Sequence, residues 1–390
     1  MRIQVLTSLD ELRTLRDAWE GLCEALRESV TPFSSYDWYE VWWKHYSAGE
    51  TLHTLAGWEG ERLVGVAPLM LRRATMHGLP LRVVCFIENN QSFLNDFIVA
   101  PGANRAFLEA SFDFLCREAS SLAWDAVVLN KLSTRSPNYS ALLAVLDASG
   151  WKWREEQTID ARHIVPLGTW EEFFAGRSTK ARKTLRNIQN TMRKAGVVSV
   201  RRIQTWKEFE GAWHEIRGVA RGSWTEELGD SMASAANEPF FLELAQRAAQ
   251  KGWLSAWTLT LDGRTIAVEF HLRAYCKEFA MRGHYLPEYA KLSPGTFLEM
   301  EILREIYDES ERLEKYDFGN YYEYKRKWTD NSEPHMAVSV FNDRLYSKLA
   351  ALYELRTVPL LRSIFPAGLW QSKLFKACGI NTDPFRIKQH

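Results

Sequence analysis

Leu9, Leu12, Leu15, Trp19, Leu22 and Leu26 recur at helical spacing after Ser8, which predicts an amphipathic helix behind a short strand at the N-terminus. Thr31-Pro32 breaks that helix, and Ser34 or Ser35 is placed to cap a second one carrying Trp38, Val41, Trp42 and Tyr46. Apolar alternation then predicts strands over residues 52–58 and 62–71 about a turn at Glu59-Gly60, with a further strand near 82–87. Pro101-Gly102 precedes a helix with Phe107, Phe112, Phe114 and Leu115, and residues 124–129 read as a buried strand. A helix near 138–149 and a strand near 151–157 complete a first α/β unit, and 158–170 reads as a crossover.

A second series opens with a helix over 170–195 that ends at Gly196. A strand over 197–203, a helix capped by Thr205, a polar loop over 221–238 and a helix from Pro239 to about residue 251 follow. Asp262-Gly263 marks a hairpin between residues 253–261 and a strand that alternates sharply. Ile266, Val268, Phe270 and Leu272 take one face of that strand, and Ala267, Glu269, His271 and Arg273 the other. A strand over 277–285, a helix over 294–309 and a strand ending at Tyr316-Asp317-Phe318-Gly319 close the series. The two halves repeat one order of events, and Pro101 precedes Asp125 by 24 positions where Pro294 precedes Asp317 by 23, which favours duplication.

At 390 residues, with 46% apolar, the chain is long enough for two domains that each bury a core. Lys+Arg and Asp+Glu both number 49, so overall charge does not point to DNA. The five cysteines are odd in number and none are spaced as CxxC, which argues against a disulfide framework and against a metal site. The N-terminus has no secretory h-region and no long uncharged apolar stretch occurs, so a cytoplasmic protein is expected.

Four groups of residues carry candidate chemistry. Leu292-Ser293-Pro294-Gly295-Thr296 opens a helix with a capping serine, a proline at the first helical position and a glycine that costs about 1 kcal/mol against alanine. Backbone amides there suit a pyrophosphate. Glu269, His271 and Arg273 share one strand face, and Glu278, Arg282 and His284 join them by the same alternation; a cleft carboxylate among them would deprotonate an amine. Asp317, with Tyr321, Tyr322, Tyr324 and Lys325 after it, stands at a strand end, where α/β sheets place ligands. The helix over 177–194 carries Arg177, Lys180, Arg182, Lys183, Arg186, Arg193 and Lys194 without an acid, a face for phosphates or an anionic membrane. The tail beyond residue 343 is also basic and carries Leu349, Tyr353, Leu355, Leu360, Leu361, Ile364, Phe365, Leu369 and Trp370, expected to pack back on the domain or to lie on a membrane or partner.

Several of these residues fall in an order that resembles a known family. They are Phe33 with Trp38 and Trp42-Trp43, Ala67-Pro68-Leu69, Trp124-Asp125, Ser178 with Lys180 and Arg182, and Leu261-Asp262-Gly263 with Ala267. Ser293-Pro294-Gly295, Tyr316-Asp317-Phe318-Gly319 and Tyr324-Lys325 with Trp328 continue the order. The chain resembles the CelD/BcsL-like GNAT acetyltransferases of cellulose and exopolysaccharide biosynthesis, related to the FemABX aminoacyltransferases. Residues 289–295 depart from the usual Arg/Gln-x-x-Gly-x-Gly/Ala pyrophosphate loop.

The resemblance implies tandem GNAT-like α/β units with mixed, V-splayed sheets flanked by helices. The expected units are 1–160, 161–343 as the acyltransferase, and a helical basic tail over 344–390. It implies N-acyl transfer from acetyl-CoA or another acyl-CoA to a small amine or sugar acceptor, in polysaccharide or cell-envelope biosynthesis. Leu292, Ser293, Pro294, Gly295 and Thr296 would hold the cofactor. Glu269 or His284 would act as base, a tyrosine near 321–324, Tyr324 among them, would protonate the thiolate, and Asp317 and Lys325 would shape the acceptor site. The rival expectations are a FemABX-like aminoacyltransferase using aminoacyl-tRNA and a non-catalytic scaffold in polysaccharide assembly.

Overall fold

The computed structural model describes residues 1–309, 313–319 and 323–364. The chain forms two compact units, Met1–Ile159 with Pro334–His390, and Asp160–Glu333. It passes from the first to the second within strand Lys152–Ile164 and returns within strand Ser332–Phe341. The sequence boundary at 343 thus lies one strand beyond the structural one. Ser332–Phe341 pairs with Ala126–Ser133 of the first unit, from His335 opposite Ser133 to Phe341 opposite Ala126, and the helices of the described tail belong to that unit.

In the first unit, Arg2–Leu6, Thr54–Glu59, Arg62–Ala67 and Ile98–Val99 form one antiparallel sheet. The single strand expected over 62–71 is two. Pro68, which has no N–H for a ladder, separates Arg62–Ala67 from Leu69–Met76, and the latter turns through His77-Gly78, both at positive φ, to pair with Leu79–Phe86. Leu79–Phe86 then runs parallel to Ala126–Ser133, bonded over Val83–Cys85 only. Gly57 and Gly65 face each other across their hairpin, and Phe107 of helix Asn104–Arg117 lies on both; a Cβ at either would stand within 2.5 Å of its ring. Phe107, Phe112, Trp124, Leu142 and Val338 belong to the core this packing builds.

In the second unit, Val198–Ile203, Leu254–Leu261, Arg264–Ala274 and Lys277–Tyr285 form an antiparallel meander. Asp262-Gly263 makes the expected tight turn, with φ of 50° and 80°. The helix expected over 170–195 is broken. Thr169 caps a short helix Trp170–Ala175, and Ser178 caps Thr179–Ala195. Arg177 sits in the break, donating to the Trp328 carbonyl and lying over the Phe173 ring, so it holds the chain there and leaves the basic face to its neighbours. Trp170, Leu185, Trp257, Leu259, Phe297, Leu303 and Tyr316 share this unit's core. No helix among the described residues is long and apolar enough to cross a membrane.

Candidate functional site

Side chains opposite one another in an antiparallel pair point to the same face. Along Arg264–Ala274 and Lys277–Tyr285, Arg273 lies opposite Glu278 and His271 opposite Ala280, but Phe270 lies opposite Arg282 and Glu269 opposite Gly283. Met281 is therefore an extra residue, a β-bulge. The bulge changes faces. Glu278 stays with Glu269, His271 and Arg273, whereas Arg282 and His284 turn to the side of Phe270 and Val268. The expectation that His284 shares the face of Glu269 is corrected accordingly.

His284 is buried, with Nδ1 2.9 Å from Thr225 Oγ1 and Nε2 accepting from the Met232 amide at 3.4 Å. Burial, reinforced by the Arg282 charge, lowers its pKa to about 3. A neutral ring with both nitrogens engaged is a structural group and a poor general base.

The opposite face carries a hydrogen-bonded chain. His271 Nδ1 is 2.9 Å from Glu278 Oε1, and its Nε2 is 2.8 Å from Glu269 Oε2. Glu278 also accepts from Ser255 Oγ at 2.8 Å and lies 3.8 Å from the guanidinium groups of Arg202 and Arg273. Burial works against a charge on His271, but the two carboxylates outweigh it and raise its pKa to about 9. His271 is thus an imidazolium at neutral pH, donating from both nitrogens. Burial likewise works against the charge on Glu278, and His271 with the two arginines holds its pKa below the usual value. Glu269 is the open end of the chain. Gly283, opposite it, is exposed although mid-strand, and a Cβ there would come within 3.5 Å of Glu269 Cγ.

The strand neighbouring this face is short. Lys315–Asp317 runs parallel to Lys277–Tyr285 but pairs only with residues 277–279, after which Phe318 bonds back to the Arg162 carbonyl. Among the described residues, 280–285 have no parallel neighbour, as the V-shaped splay implied by the resemblance requires. Tyr285 shares the face of Glu269 two residues beyond Gly283, about 7 Å along the strand. Its ring is the one group within 4 Å of where a Gly295 Cβ would lie, at 3.9 Å.

The helix start at Gly295 differs from an ordinary capped end. Ser293 is left-handed, with φ 54° and ψ 53°, and makes no side-chain cap hydrogen bond, contrary to the capping role expected from sequence. A left-handed serine costs about 1–2 kcal/mol. Pro294 has no N–H, and first-turn amides at Gly295 and Thr296 have no acceptor within the helix. Lys327 Nζ donates to Thr296 Oγ1 at 2.7 Å and brings a cation to this turn. Leu292 ends the preceding 3-10 helix Pro287–Leu292 and packs on the core. A glycine that only Tyr285 approaches, first-turn amides without an acceptor in their own helix and an adjacent ammonium fit a pyrophosphate.

Two groups absent from the sequence-derived site stand beside this face. Tyr316 donates to Glu299 Oε1 at 2.6 Å, and its ring meets His271 edge-on at 5.8 Å. Burial, then the Glu269 charge, lifts Glu299 far above the ordinary carboxylate range. Gly295, Glu299, Ile302 and Ile306 fall on one stripe of helix Pro294–Asp308, and an acid on that stripe was the available signal. Lys325 is buried and donates to the Phe318 carbonyl; burial lowers its pKa against the pull of Glu299, Asp317 and Glu269. Asp317 accepts from the Gly319 amide at 2.9 Å and lies 3.0 Å from Lys315, so it shapes the strand-end turn. Tyr321 and Tyr322 lie outside the described residues, as does the side chain of Tyr324, whose backbone is in the 3-10 helix Glu323–Lys327.

With this geometry in view, residues 179–326 match the family model of the acetyltransferase (GNAT) domain. The second unit has a GNAT-like fold. Among solved structures, FemX aligns with a TM-score of 0.57 at 12% identity, over 91% of this chain and 100% of that one. A DUF2156 domain from Agrobacterium fabrum aligns at 0.53 and 12% identity, over 88% and 96%. A protein of unknown function from Bacteroides thetaiotaomicron gives 0.52 at 11% identity, over 87% and 100%. At such identities the likeness is one of fold. No curated protein matches the chain by sequence.

Proposed function

We propose that the second unit transfers an acyl group from acyl-CoA to a primary amine, with Glu269 as the general base. The observation that carries this reading is one strand face that bears Glu269, at the open end of the Glu278–His271–Glu269 chain, and Tyr285, against the helix start at Gly295. Amides of Gly295 and Thr296, with Lys327, would hold the pyrophosphate, and Leu292, Ser293 and Pro294 set the turn that aims them. When bound, the thioester supplies an activated acyl group. Glu269 takes the proton from the incoming amine, and the His271 imidazolium keeps its carboxylate oriented. Tyr324 remains the proposed donor to the departing thiolate, and Asp317 and Lys325 the groups that shape the acceptor side. Acetyl-CoA is the proposed donor and an amino sugar of an exopolysaccharide or the cell envelope the proposed acceptor. The first unit is proposed as a structural or acceptor-binding copy, because its half-buried acid Asp96 is engaged by Ser136, Asn138 and the Phe97 amide.

The exposed cations Lys180, Lys183, Arg186, Arg193 and Lys194 on helix Thr179–Ala195 favour a second reading, in which the donor is an aminoacyl-tRNA. Release of free thiol from acyl-CoA in the presence of amino sugars and amino acids tests the first reading. Turnover with a thioester supports it. Turnover only with a charged tRNA, steeply weakened by salt, would replace it with the second.

A further inference from the structure

The C-terminal helical run turns its leucines outward. Leu345–Leu352, Tyr353–Thr357 and Val358–Ile364 follow one another without a break. Its inward face is made of Ser347, Ala350, Ala351, Glu354 and Val358, all buried. Glu354 fixes the rotation of the run, because it is hydrogen-bonded to His77 Nδ1 at 2.8 Å and ion-paired with Arg154 at 3.2 Å. Tyr346 and Tyr353 add hydrogen bonds to the Pro80 and His77 carbonyls. On the opposite face Leu345 is 79% exposed, Leu349 57%, Leu352 54% and Leu360 59%, spaced along one stripe. Single exposed leucines need no explanation, but a row of them held outward by a buried hydrogen bond and ion pair marks a contact surface.

The charges around the stripe identify what covers it. Arg344, Lys348 and Arg356 are exposed beside it, Lys348 lying 3.5 Å from the exposed Asp343 that precedes the run, and the one carboxylate of the run itself, Glu354, is buried on the other side. Residues 344–390 carry eight Lys/Arg against Glu354 and Asp383, in a chain whose totals balance at 49 each. A second copy would set this basic face against itself, and residues 365–390 are basic too, so neither is complementary to it. Leucines rimmed by cations match hydrocarbon beneath anionic headgroups.

We propose that this face docks the protein on an anionic phospholipid surface, with Leu345, Leu349, Leu352 and Leu360 in the headgroup boundary and Arg344, Lys348 and Arg356 on the phosphates. The test is flotation of the full chain with phosphatidylcholine vesicles, with and without phosphatidylglycerol. Binding is expected only with phosphatidylglycerol and weakens with salt. Leu349→Gln with Leu352→Gln is expected to lower the partition coefficient by at least about tenfold. Lys348→Gln with Arg356→Gln is expected to lower it by roughly tenfold to thirtyfold. Both variants are expected to melt as the wild type does, since the altered groups are exposed. Absence of vesicle binding, or binding indifferent to the leucine substitutions, overturns the proposal. So does a lowered melting point in the leucine variant, which would mean the chain itself covers these residues, or a wild-type dimer that this variant dissociates.

Discussion

In the proposed reaction Glu269 carries the proton transfer and His271 the orientation. Glu269→Gln is expected to lower kcat by about 10²- to 10⁴-fold, the usual worth of a general base, while the dissociation constant for acyl-CoA stays within about twofold. Loss of donor affinity with kcat intact would remove Glu269 from that role. Two of the buried histidines, His271 and His284, give opposite pH signatures. The pKa of His271 rises from 6.5 to about 9 on folding, so its stabilisation is complete below about 6.5 and is lost as pH rises through about 9. His284 falls from 6.5 to about 3, so its contribution is present above about 6.5 and is lost as pH falls towards 3. Denaturant titrations should show His271→Gln flattening the alkaline limb and His284→Gln the acid limb; the reverse pattern would contradict both assignments. Glu269 stood out in the sequence because period-two alternation sets it with His271 and Arg273 opposite an apolar face. His284 was misplaced because a single extra residue at Met281 leaves no mark in composition or spacing, yet flips every side chain after it.

Among elements, the glycines separate packing from ligand access. At Gly65 a Cβ would enter the Phe107 ring, so Gly65→Ala is expected to cost about 1–3 kcal/mol by overpacking. At Gly295 a Cβ would make only an ordinary contact with Tyr285 at 3.9 Å, and Gly295→Ala should leave stability unchanged or raise it by about 1 kcal/mol through helix propensity. Urea melts of the two variants check this, and a large loss at Gly295 would mean that the glycine serves the fold. The start of helix Pro294–Asp308 was legible as Ser-Pro-Gly, but its serine was expected to cap and instead turns left-handed. Propensity names the residue types that suit a helix end; it does not say whether tertiary contacts will hold one of them in a strained conformation.

At the scale of the molecule, both units contain a parallel strand pair bonded over just three residues, Val83–Cys85 with residues 126–128 and residues 277–279 with Lys315–Asp317. The shared order of turns and Pro-Gly helices foretold this likeness, because turn chemistry is written locally. The interleaving of the chain was not legible, since strand Ser332–Phe341 returns to the first unit through pairings more than 190 positions distant in sequence. Likewise Glu299 and Tyr316 meet across 17 positions that no local pattern connects. The two helix starts also differ, with Ala103 in an ordinary right-handed cap and Ser293 left-handed, and the proposal of a donor site in the second unit alone rests on that difference. Calorimetry of acetyl-CoA with the wild type and with Gly295→Glu tests that assignment most directly. An acid in the first helical turn favours the fold through the helix dipole while opposing a pyrophosphate. One site per chain, abolished in Gly295→Glu with the melting point retained, is the expected result. Undiminished binding in the variant, or no binding to any acyl-CoA by the wild type, would contradict a CoA-dependent site at this helix.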